Sequence, residues 1–193
     1  MSKKWLITLL TVTFLFSIYH PVWSSVEGIW DINGKTTVKV TIKGYGTEKE
    51  TTFFEDEFIF YNDNTFEMID SEGTWSQERR KFNVYIDPAD LEDYFEDNLE
   101  YMLDTDVDVY ITSYSFYGSE DKSSHKIKGK MKMNMSLYID EYDIEGTINV
   151  NTTFTGYRSY EYFPAQKTEE SNMISSSPME NILNTIDYLL RTP

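Results

Sequence analysis

The chain has 193 residues and no cysteine, and its 33 Asp and Glu against 17 Lys and Arg give a net charge of −16. That length suffices for one domain with a real core, and the missing cysteine excludes disulfides, thiolate nucleophiles, Cys-ligated zinc and iron–sulfur clusters. The acid excess argues against nucleic-acid binding, which needs clustered Lys and Arg, while 16% aromatic residues argue against disorder.

Met1 to Ser24 reads as a secretory signal peptide. Lys3 and Lys4 form its charged end, Trp5 to Ile18 its apolar run, and Val22-Trp23-Ser24 its cleavage site. The apolar run falls short of the roughly 20 residues of a membrane span, so cleavage is expected and no stable membrane anchor remains after it. Loss of Lys3 and Lys4 then deepens the net charge by two, and His125 is the only histidine left. The predicted location is secreted or periplasmic, with residues 25–164 as the folded domain and residues 165–193 as a linker and C-terminal helix.

Period-two alternation dominates from Val26 to Pro164. Val38, Val40 and Ile42 share one side of a strand; so do Phe54, Phe58 and Phe60; so do Met131, Met133, Met135, Leu137 and Ile139. Phe82, Val84 and Ile86, then Val107, Val109 and Ile111, then Ile148, Val150 and Phe154 repeat the pattern. Turn-formers at Asn33-Gly34, Gly44-Tyr45-Gly46, Asn62-Asp63-Asn64 and Ser71-Glu72-Gly73 separate the runs. The prediction is mainly β, an antiparallel up-and-down β-barrel of about eight or nine strands, since a long meander closes to remove its edges.

One helix is predicted inside this series. Asp87 suits the N-cap and Pro88 the first turn, and Leu91, Phe95, Leu99, Met102 and Leu103 line one face. Its acids, Glu92, Asp93, Glu96, Asp97 and Glu100, read as a solvated face, or as the outer surface of a lid over a cavity mouth. A C-terminal helix begins at Ser177-Pro178, with Met179, Ile182, Leu183, Ile186, Leu189 and Leu190 on its stripe. It is marginal alone, so it docks on its own barrel, on a protein partner or on a membrane surface. The last is disfavoured, because Glu180 and Asp187 against Arg191 leave its polar face without the basic residues of membrane-lying helices.

Gly28-Ile29-Trp30 at the first mature strand and Arg158 near the last resemble the lipocalin-like (calycin) superfamily. That resemblance implies structural roles for Gly28, Trp30 and Arg158, with Trp30 closing the barrel base and Arg158 packed across it as a cation–aromatic contact. The helix at Pro88–Leu103 interrupts the strands, where the usual family helix follows the last one.

The candidate ligand-binding residues are Phe54, Phe58, Phe60, Met131, Met133, Met135 and Phe154. Methionine is flexible and polarizable and suits varied apolar partners, and an eight-stranded barrel either fills its interior or holds a small ligand. Two readings therefore stand: a carrier of a small apolar or amphipathic molecule, or a structural or protein-interaction module with a packed core.

Opposite the methionines, Lys126, Lys128, Lys130 and Lys132 form a stripe that pairs with an acidic strand such as Glu55 and Glu57, guards an edge, or recognises an anionic head group. Asp104, Asp106 and Asp108 resemble the start of a calcium loop, but Val109 (Tyr110 in the alternative count) and Ser115 stand where that loop needs Gly and Glu. No metal and no cofactor is expected. No nucleophile elbow, phosphate loop or dinucleotide fingerprint is present, so the expectation is a non-catalytic protein.

Overall fold

The computed structural model describes residues 25–121, 123–139, 141, 143–159 and 177–191. The signal segment Met1–Ser24 and residues 165–176 of the linker lie outside them. Eight strands form a closed antiparallel barrel in chain order: β1 (Gly28–Ile42), β2 (Gly46–Phe60), β3 (Thr65–Met68), β4 (Ser71–Glu78), β5 (Lys81–Tyr85), β6 (Val107–Asp121), β7 (Lys126–Ile139) and β8 (Ile144–Arg158). Helix α1 (Pro88–Leu103) is inserted between β5 and β6, and α2 (Pro178–Arg191) follows the barrel.

Strand lengths divide the barrel into two storeys. β1, β2, β6, β7 and β8 have 14 or 15 residues each, whereas β3, β4 and β5 have 4, 8 and 5. β2 pairs with β3 only at Ile59 and Phe60, and β5 reaches β6 only between Phe116 and Ser119. The lower storey is thus ringed by all eight strands. In the upper storey the sheet runs β6-β7-β8-β1-β2 and leaves a gap between its outer strands.

The helices fill that gap. Asp87 caps α1 by accepting the Ala89 amide at 3.0 Å, and Asp104 ends it in the left-handed conformation. Leu91, Phe95 and Leu99 are buried, as the periodicity predicts. The acids facing β6 are not solvated as a group, however. Glu92, Glu96 and Glu100 accept the Ile111, Val109 and Val107 amides at 2.6, 2.8 and 3.2 Å. These are the amides a neighbouring strand would otherwise bond, so α1 stands in for the missing upper part of β5.

Helix α2 packs against β1, β2 and α1. Met179, Ile182, Leu183 and Ile186 are buried on one continuous core with Val38 and Val40. The outward residues Lys35, Lys39 and Phe53 remain exposed, so the helix covers the inner face of the sheet. Ser177 caps it, accepting the Glu180 amide at 3.0 Å.

Several local expectations are corrected. Asn33-Gly34 is not a turn but the middle of β1, because the Phe54 ring occupies the space a side chain at Gly34 would need. Ser71-Glu72-Gly73 lies within β4 rather than before it, opposite Phe66, Glu67 and Met68. The lysine stripe of β7 neither guards an edge nor faces Glu55 and Glu57, because β7 is central and pairs with β6 and β8.

Candidate functional site

Much of the interior of the lower storey is aromatic. Phe58 meets Phe66, Phe116 and Phe154 edge-on at centroid distances of 5.4, 5.7 and 5.2 Å. Phe60 extends the cluster to Trp75 at 5.6 Å and to Phe82 at 5.3 Å. Edge-to-face contacts of this kind are favourable beyond the area they bury. Of the candidate ligand residues, Phe58, Phe60 and Phe154 thus belong to one interlocked aromatic layer. Phe54 lies against Gly34, and the Phe154 ring occupies the space beside Gly129. Met131, Met133 and Met135 are also buried, inward on β7.

One end of the barrel is closed by the first described residues. Val26 is fully buried; its amide donates to Gln77 Oε1 at 2.8 Å, and its carbonyl accepts the Trp30 indole N–H at 2.7 Å. Arg158 lies 4.7 Å over the Trp30 ring and donates to the Ser25 carbonyl at 2.9 Å. Glu120, also buried, stands 3.9 Å from the guanidinium. Gly28 sits against Arg158, with positive φ. The three residues singled out from the sequence therefore meet in space.

A second polar cluster, missed in the sequence, lies beneath the start of α2. Asp56 is inward on β2 and only 7% exposed. One carboxylate oxygen accepts the Glu57 amide at 2.7 Å, and Oδ2 has no partner among the described residues. Burial pushes this carboxyl up to about 7, the nearby charges of Asp70 and Glu57 adding to the rise while the Glu57 and Ile69 amides oppose it. Asp70 accepts the Ser177 hydroxyl. Burial, with the charges of Asp70 and Glu180, raises Tyr94 to about 12. A cleft of about 410 Å³ opens beside this cluster between Glu67, Asp70, Glu72 and Tyr94. Among the described residues no group of acids is arranged to hold a metal ion, Asp104, Asp106 and Asp108 included.

Two hydroxyls also point inward without a partner among the described residues: Thr52 on β2 and Tyr114 on β6. Burial raises Tyr114 well above the usual phenol range. Thr36 and Thr152, by contrast, share a hydrogen bond of 2.9 Å across β1 and β8. A register shift between Ile111 and Ser113 turns Tyr114 inward, which strict alternation along β6 hides.

No family model and no curated protein matches the chain. Among solved structures it is similar to the ywiB protein from Bacillus subtilis, at 7% identity and a TM-score of 0.30, over 65% of this chain and 92% of that one. It is also similar to Ail, the attachment invasion locus protein of Yersinia pestis, at 13% identity and a TM-score of 0.27, over 69% and 100%. Likenesses this slight say nothing of what the chain binds.

Proposed function

We propose that the protein is an exported, non-catalytic binding module whose barrel is a packed scaffold, with recognition left to its surfaces. The carrying observation is the aromatic layer, in which Phe58 is in edge contact with three other rings. Side chains already occupy the lower interior where a carrier would hold its ligand. Glu92, Glu96 and Glu100 serve as acceptors for β6, which fits a structural role for the acids of α1. The Trp30–Arg158 stack and its Gly28 neighbour support a lipocalin-like relationship. Export rests on the signal pattern of Met1–Ser24, and burial of Val26 places the start of the core just after the expected cleavage site.

The carrier reading keeps one specific support. The inner face of β1 and β2 is covered by a helix that arrives on a separate segment, and the unpartnered Thr52 and Tyr114 hydroxyls would orient a ligand there. Native mass spectrometry of the full chain separates the two readings. A packed scaffold is expected to fly at its polypeptide mass, whereas a co-purifying lipid or pigment would overturn it in favour of the carrier.

A further inference from the structure

The net charge hides a segregation. Lys35 and Lys39 on β1, Lys49 on β2, and the four lysines of β7 all point outward on three strands, with β8 lying between β1 and β7. Register brings them together. Lys130 stands opposite Thr153, which stands opposite Lys35, which stands opposite Phe53. Lys39 and Lys49 face each other directly, a like-charge cross-strand pair that disfavours the bare sheet. Between the two lysine rows runs the uncharged outer side of β8: Thr147, Asn149, Asn151, Thr153 and Thr155. Among the described residues Lys43 and Arg158 have carboxylate neighbours, but the lysines at 35, 39, 49, 128, 130 and 132 have none.

This face also has a hollow. A cleft of about 470 Å³ is lined by Asn33, Lys35, Phe53, Lys126, Thr153, Thr155 and Tyr157. Phe53 is 78% exposed and Tyr157 51% exposed, two rings left open to solvent on a strand face that is otherwise polar. Lys126 donates to the Tyr157 hydroxyl at 3.0 Å, which holds an ammonium at the cleft wall.

We propose that this outer face binds an acidic polysaccharide, with separate sugar rings of one chain against Phe53 and Tyr157 and its carboxylates on Lys35, Lys126 and Lys130. The chemistry of the three components selects that class. Exposed ring faces take the C–H face of a pyranose. The hydroxyl and amide lane on β8 matches the sugar hydroxyls. The ammonium rows match acidic groups repeated along a chain, since lysines two residues apart on β7 are about 7 Å apart and the β1 row lies about 10 Å away. An anionic bilayer would also be drawn to the lysines, but the polar β8 lane offers nothing to insert. A single-stranded nucleic acid needs successive rings along one track, and here the two rings lie on strands separated by β1.

This inference rests on the scaffold reading, because it places recognition outside the barrel. The test is calorimetric titration of the full chain with oligogalacturonate, with neutral maltooligosaccharide, phosphatidylglycerol vesicles and oligo-dT as competing probes. Binding to oligogalacturonate alone is expected, with a log–log salt slope of about −2 for the few lysines engaged. Phe53→Ala and the Lys35→Gln/Lys130→Gln double variant, all at exposed positions, should each weaken it by about tenfold or more. Preferential binding to vesicles or to oligo-dT, equal binding of the neutral sugar, or unchanged affinity in both variants would overturn the proposal. An interior ligand found by mass spectrometry would instead remove the scaffold reading while leaving these variant effects measurable.

Discussion

Glu96 accepts the Val109 amide at 2.8 Å, a helix side chain completing the hydrogen bonding of a strand. Glu92 and Glu100, one turn to either side, do the same for Ile111 and Val107. Residues four apart lie on one helix face and alternate amides lie on one strand edge, so a single helix can serve three strand positions in sequence. A buried amide left without an acceptor costs about 1–3 kcal/mol. Glu96→Ala is expected to lower stability by about that amount, and Glu96→Gln, which keeps an acceptor oxygen, by less. Chemical denaturation gives the energies, and faster hydrogen exchange at the Val109 amide identifies the site. Equal losses in both variants would refute the acceptor role.

Truncating the central ring tests the packed interior. Phe58→Ala removes a buried side chain from three aromatic contacts and is expected to cost about 3–5 kcal/mol. A loss under about 1 kcal/mol would mean that the layer is loose enough to close over the gap. In that case a ligand could enter where the ring had been.

Alternation along the strands made the barrel legible, along with the methionine face and α1 to its ends. Features that depend on contacts between distant residues were not legible. Gly34 follows Asn33 and has the chemistry of a turn; its place in mid-strand is fixed by a phenylalanine on the next strand. Asp56 interrupts the apolar set of Phe54, Phe58 and Phe60, and nothing local says that a carboxyl will be buried there. The acids of α1 looked like a charged surface, although the spacing of Glu92, Glu96 and Glu100 was a readable sign of a single stripe. Trp30 and Arg158 were the exception, two distant residues expected to meet whose side chains do stack.

Asp56 makes a pH signature. Its carboxyl rises from 3.8 to about 7 in the folded chain, chiefly through burial. A raised pKa means that the folded state holds the proton more tightly. The stability contribution is complete below the unfolded value and is lost as pH climbs through about 7. At about 1.4 kcal/mol per pKa unit, the loss is about 4 kcal/mol across that window. Asp56→Asn keeps the shape without the ionisation. Melting temperatures between pH 4.5 and 8.5 should fall for the parent chain and stay flatter for the variant, the curves separating most above pH 7. Parallel curves would rule Asp56 out as the source.

The stack of Arg158 on Trp30 is open to a double-mutant cycle. A cation over an indole face contributes about 0.5–2 kcal/mol, more where water is excluded. Arg158→Met and Trp30→Leu, singly and together, should yield a coupling energy in that range by denaturant unfolding. A coupling near zero would leave the arginine with only its bond to the Ser25 carbonyl and its neighbour Glu120.

β1 carries partners on both sides, and one of them is the last strand of the barrel. The contact between Ser25 and Arg158 spans 133 residues, and α2 enters the core later still. High contact order of this kind makes ring closure a late event in folding. A nascent chain that has emerged only as far as β7 has one edge of β1 unmet and its upper storey unroofed. Such a chain stays open until its C-terminal third is free, a delay that exposes its unmet strand edge to mispairing if synthesis is interrupted.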